Sequence, residues 1–144
     1  NNEGRVLLYS SPDLRKWDFV SVLAESHGEM GSMWECPDFF KIGDKHVLMF
    51  SPMEFGTTIT MYLIGDMDYS TGKFTWTEKG KVDFGCDFYA PQSLLDDKGR
   101  RIIIGWANSW PWMEWFSDFG PNMEDKWNGC PYLEKLSLMR ELVS

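Results

Sequence analysis

Two stretches of this chain repeat one another, "ECPDFFKIGDKHVLMFSP" and "YAPQSLLDDKGRRIIIGWA". Each passes from a polar start through a proline into a strand-like run, then a charged turn, then an apolar run. Pro37 and Pro91 mark equivalent points, 54 residues apart (37 to 91). The remaining half of the unit also recurs. "LLYSSPDLRKWDF" resembles "YLIGDMDYSTGKFTW", with Trp17 and Phe74 57 residues apart (17 to 74). A period of about fifty residues with four strands per unit is the pattern of propeller blades. A β-sandwich would not require the repeat, and a β-solenoid would have a shorter one. The expected fold is therefore all-β, about two and a half four-stranded blades of a β-propeller. Its units are the end of one blade over 1–30, a blade over 31–82 and the next over 83–144.

Strand-like runs fill the chain: "RVLLYSS", "WDFVSVL", "DFFKI", "HVLMFS", "TITMYLI", "KFTWTEK", "FYAPQSLL" and "RIIIGWAN". Between them stand Ser-Pro-Asp, Gly-Asp-Lys, Ser-Thr-Gly-Lys and Asp-Asp-Lys-Gly, each suited to a hairpin. The end of the chain, "YLEKLSLMRELV", also permits a helix, because Leu133, Leu136, Met139 and Val143 fall on one helical face. "DMDYSTG" superficially suggests a calcium loop. Its sixth position is Thr71 where the sharp turn wants Gly, and its twelfth is Thr77 instead of Glu, so a hairpin turn is expected.

Composition narrows the function classes. Apolar residues at 43% and charged residues at 25% describe a globular chain long enough for a real core. A net charge of −8, with Lys and Arg scattered singly, argues against nucleic acid as a partner. The longest apolar runs fall far short of a membrane span. Aromatic residues make up 16%, including eight Trp, which suits β-structure or flat platforms for a sugar ring. Cys36, Cys86 and Cys130 are odd in number and lack CxxC spacing, and His27 and His46 lie in unrelated contexts. Neither a disulfide framework nor a metal site is expected. Free cysteines favour the cytoplasm over a secreted setting.

The segment "MWECPDFF" concentrates the chemistry. Glu35 is a poor strand residue, and Pro37 removes a ladder donor just after it. Aligning the prolines sets Glu35 opposite Tyr89, at the entry of the first strand of successive blades, and those strands line a propeller's central channel. Asp87, two residues before Tyr89, shares its strand face. Glu35, Asp87 and Tyr89 are thus expected to meet in one funnel, where neighbouring carboxylates keep a protonated acid available. Against this, Glu35 reads as a surface residue at a strand end, Asp87 as a turn residue, and Tyr89 as core with its hydroxyl at the rim. Cys36 and Cys86 would face the other way, buried between blades, and Asp38 would brace a turn. The aromatic stretch "NSWPWMEWFSDF" (108–119), with Trp112 and Trp115, reads as a rim platform for further sugar units or as blade packing.

"WECPDFF", "DFGCDFYAPQSL" and "RIIIGWANSW", in that order and spacing, resemble glycoside hydrolase family 32, the β-fructosidases. "LYSSPDLRKWDFVSVLAE" and "LSLMREL" extend the resemblance over essentially the whole chain. It implies a five-bladed propeller followed by a β-sandwich, and retaining hydrolysis of β-fructofuranosides such as sucrose, sucrose 6-phosphate or fructans. Carried over by motif, Glu35 matches the general acid/base, and Asp87 and Tyr89 match sugar-pocket positions. Trp106 lies in the Gly-Trp strand, and with Trp34 and Trp112 it completes the expected substrate-contacting set. No metal and no organic cofactor is implied. The family's Asn-Asp-Pro-Asn-Gly nucleophile motif and its Arg-Asp-Pro motif have no counterpart here and would fall upstream of Asn1. The expected partners are therefore the carbohydrate, the N-terminal blades of the same polypeptide and, for the chain alone, other copies of itself. A sugar-binding or interaction propeller without catalysis is the alternative.

Overall fold

The computed structural model describes residues 3–55, 59–85, 88–107, 135–137 and 139–143. Ten strands and no helix occur among them: β1 (Arg5–Ser10), β2 (Asp18–Glu25), β3 (Met33–Ile42), β4 (Lys45–Met53), β5 (Met61–Asp68), β6 (Lys73–Lys81), β7 (Tyr89–Leu95), β8 (Arg101–Ala107), β9 (Lys135–Leu136) and β10 (Arg140–Leu142). They form three antiparallel sheets. β1 pairs with β2; β3-β4-β5-β6 form a four-stranded meander; β7 pairs with β8, whose other edge carries both β9 and β10. The architecture is all-β, and the sheets are propeller blades.

The hairpins follow from their turn residues. Gly43, at φ 58°, supplies the left-handed conformation that a two-residue loop between Ile42 and Lys45 requires. In the β5–β6 turn, Asp68 Oδ1 accepts hydrogen bonds from Ser70 N at 2.9 Å and Ser70 Oγ at 2.6 Å. The hydroxyls of Ser70 and Thr71 hold the Asp68 carboxyl below the usual range. "DMDYSTG" is thus an Asx-type hairpin turn. Asp96 does the same between β7 and β8, accepting from Lys98 N at 3.0 Å and Arg100 N at 2.7 Å.

β4 shows why the sheets stack. Its residues 46–52 are all buried, so the strand is covered on both faces. Leu48 and Phe50 face one cluster, with Val6, Leu23, Ala24, Met30, Trp34, Leu63 and Phe74, which joins β1–β2 to the meander. Val47 and Met49 face the other, with Phe40, Phe88 and Ile103, which joins the meander to β7–β8. Adjacent β4 side chains therefore belong to different inter-blade cores, as the period of two demands.

At the end of the chain the helical option gives way to strand. β9 and β10 take the open edge of β8, and Ser137 N donates to Gly105 O at 2.7 Å. Apolar spacing permits either form; an unpaired strand edge supplies ladder partners that a helix would leave unused.

Candidate active site

The site is made by two bulges at equivalent places in two sheets. In β3 the pairing with β4 slips between Glu35 and Asp38; in β7 the pairing with β8 slips between Tyr89 and Gln92. Both slips hold a residue with left-handed backbone immediately before a proline: Cys36 at φ 49° and Ala90 at φ 48°. Non-glycine residues rarely adopt this conformation, and a following proline biases its predecessor towards extended backbone. Such strain persists only where the surroundings over-determine it, and bulges re-aim the side chains beside them. Here those side chains are Glu35 and Tyr89.

The two meet across the sheets. The Tyr89 hydroxyl donates to Glu35 Oε2 at 2.5 Å. The Tyr89 ring is buried, 7% exposed, whereas Glu35 is half-buried. Burial, reinforced by the hydrogen bond and charge of Glu35, pushes the Tyr89 phenol far above its ordinary value. The phenol therefore keeps its proton and acts as a fixed donor. Met53 Sδ lies 3.2 Å from the same hydroxyl.

A polar seam holds the strands in this register. Ala90 N donates to Ser51 Oγ at 2.9 Å, Ser51 and Thr60 share a hydroxyl–hydroxyl bond of 3.1 Å, and Thr60 Oγ1 donates to Phe88 O at 3.0 Å. Ser93 N donates to Asp38 Oδ2 at 2.7 Å, and Gln92 Nε2 to Cys36 O at 3.3 Å. Asp38 thus braces the neighbouring strand β7, not a turn in its own hairpin.

A cavity of about 360 Å³ adjoins the pair, lined by Cys36, Tyr89, Ala90, Gln92, Ile104, Gly105, Trp106 and Leu136. A larger one, about 420 Å³, is lined by the far ends of the strands, including Ile42, Lys45, Ile64 and Leu142. It includes neither Glu35 nor Tyr89, so the smaller cavity is the one beside the pair. Trp106 pairs with Tyr89 across β7–β8, and its indole N–H is buried without a partner among the described residues.

Of the expected site residues, the structure brings Glu35 and Tyr89 together and sets Trp106 in the wall beside them. Trp34 is corrected. It is 5% exposed, stacked on Phe50 with ring centroids 3.8 Å apart, and its indole donates to Met30 O at 2.7 Å. A Cβ at Gly4 would lie 2.2 Å from this indole, so Trp34 fills a core slot that only a glycine opposite leaves open. Cys36 is corrected too: it is exposed, not buried between blades, because the bulge breaks the alternation that the reading assumed. Partial burial and the Glu35 charge nevertheless hold its thiol above the ordinary value. Asp87, Cys86 and Trp112 lie outside the described residues. Met53 and the Ser51–Thr60 seam were missed; only the doubled X-Pro at a fixed spacing hinted at the bulges.

The family model for the N-terminal domain of glycosyl hydrolases family 32 matches residues 1–143. A sucrose-6-phosphate hydrolase from Escherichia coli is 38% identical, covering 98% of this chain and 29% of that protein. A raffinose invertase from Escherichia coli is 39% identical, covering 99% of this chain and 29% of its own. Among solved structures, the Bombyx mori GH32 beta-fructofuranosidase BmSUC1 superposes with a TM-score of 0.81 at 40% identity, over 99% of this chain and 30% of that one. A mutant of that enzyme was solved in complex with sucrose. The chain thus spans about 30% of the length of these relatives. With the family model matching nearly all of the sequence, the chain belongs to glycosyl hydrolase family 32.

Proposed function

We propose that this chain carries the acid/base part of a retaining β-fructofuranosidase acting on sucrose or a related β-fructofuranoside. The reading is carried by the 2.5 Å bond from Tyr89 to Glu35 Oε2. It engages one carboxyl oxygen and leaves the other for the reacting sugar. In double displacement, a nucleophilic carboxylate from the rest of the propeller attacks the anomeric carbon. Glu35 protonates the departing oxygen, then takes a proton from the incoming water. Retention needs the two carboxyl groups about 5–5.5 Å apart, so the partner carboxylate stands across the funnel from Glu35. Trp106 supplies the adjoining wall, against which the sugar would pack. Asp87 and Trp112 complete the proposed contacts to substrate.

The test is Glu35→Gln in the intact protein, which keeps the shape and removes the transferable proton. Turnover on sucrose should fall by roughly 10²–10⁴-fold. Fructosyl donors with a good leaving group need little protonation, so their first step should suffer much less. Equal losses for both donor types in that step would show that Glu35 is not the acid, and unchanged sugar binding with no turnover in either form would favour a binding propeller.

A further inference from the structure

The Tyr89 hydroxyl has a second neighbour that glycoside hydrolysis does not require. Met53, the last residue of β4, sets its thioether sulfur 3.2 Å from that oxygen and is 37% exposed. Its cross-strand partner Met33, at the start of β3, is more exposed at 56%, and no bond joins it to Tyr89 or Glu35 among the described residues. Two methionines thus share one strand end, and one of them touches the donor that holds Glu35.

We propose that Met53 is an oxidation site controlling whether Tyr89 holds Glu35, with a hydroperoxide as oxidant. A lone pair of the Met53 sulfur attacks the terminal peroxide oxygen. The S–O bond forms as the O–O bond breaks, sulfur is oxidised by two electrons, and the peroxide leaves as water or an alcohol. The product sulfoxide is polar where the thioether was a weak acceptor. At 3.2 Å there is no room for an added oxygen between sulfur and phenol. Oxygen therefore adds to the other lone pair, and the sulfoxide oxygen, a stronger acceptor than the thioether, competes with Glu35 for the single Tyr89 proton, so that Glu35 loses its donor. Any opening that admits a sugar to Glu35 admits the smaller hydroperoxide to Met53. The proposal rests on Glu35 being the acid/base.

The experiment treats the intact enzyme, its Met53→Leu variant and its Met33→Leu variant with hydrogen peroxide. It follows kcat/KM on sucrose beside the oxygen content of each methionine peptide by mass spectrometry. Wild type and Met33→Leu should lose about tenfold or more, the scale of a displaced catalytic group, in step with one oxygen gained on the Met53 peptide. Methionine sulfoxide reductase should restore the rate, and Met53→Leu should keep its own starting rate. The proposal is overturned if Met53→Leu is inactivated like wild type, or if dithiothreitol alone reverses the loss, which would place it on a cysteine thiol. Full oxidation of the wild-type Met53 peptide without loss of rate would overturn it whether or not the leucine variant folds. A loss that tracks Met53 in an enzyme indifferent to Glu35→Gln would uphold the oxidation site and sink the Glu35 reading instead.

Discussion

Removing one oxygen isolates the bond that brings Tyr89 to Glu35. Tyr89→Phe keeps the buried ring and deletes the donor to Glu35. A hydrogen bond to a charged group contributes about 1.5–3 kcal/mol, so kcat on sucrose should fall about 10–100-fold while KM changes less. Steady-state kinetics with a thermal melt checks this; a variant that melts early at unchanged kcat would make Tyr89 a packing residue. Much of this pair was legible in the sequence, because the 54-residue spacing of Pro37 and Pro91 also separates Glu35 from Tyr89. Trp34 and Cys36 were not. Alternation sets the face of Cys36 only where no bulge intervenes, and the core slot that Trp34 fills depends on Gly4, distant in the sequence. Met53 carries no motif at all; only the β3–β4 register brings its sulfur to Tyr89.

The bulges are elements in their own right, repeated in both sheets. Ala90 holds φ 48° with a side chain that disfavours it. Left-handed backbone costs a non-glycine residue roughly 1–2 kcal/mol, partly offset by the greater freedom of glycine in the unfolded chain. Ala90→Gly should therefore leave stability unchanged or raise it by up to about 1 kcal/mol, since the amide that bonds Ser51 is retained. Ala24→Gly, in the core face of β2, should lower stability by about 0.5–1 kcal/mol or more. Urea midpoints for the two variants make the comparison, and equal destabilisation would remove strain from the account. The hairpins themselves were legible from Gly43, Asp68 and Asp96, whose turn chemistry is local. The strands near the end were not, because Leu136 and Met139 fit a helical face as well as a strand. The open edge of β8 settled the matter, and no local pattern encodes it.

At the scale of the molecule, the chain has the face of a part. Leu7 pairs with Val22 and Tyr9 with Phe19 across β1–β2, and all four are 41–57% exposed on one side of that sheet. Tyr9 and Phe19 stack edge-on with centroids 5.6 Å apart, forming an apolar patch of the kind that marks an interaction surface. We propose that other blades of the same polypeptide cover it and bring the nucleophile. In that proposal Glu35 is the acid/base of a double displacement completed by a carboxylate from elsewhere in the propeller. The most direct measurement is azide rescue of Glu35→Ala in the intact protein, using a fructosyl donor whose leaving group needs no proton. The glycosyl-enzyme would form without the acid, and azide, which needs no base, would replace water in the second step. Azide should raise turnover about tenfold or more and yield a fructosyl azide with the anomeric configuration of the donor. Turnover that azide leaves unchanged, or an azide product of inverted configuration, would contradict it.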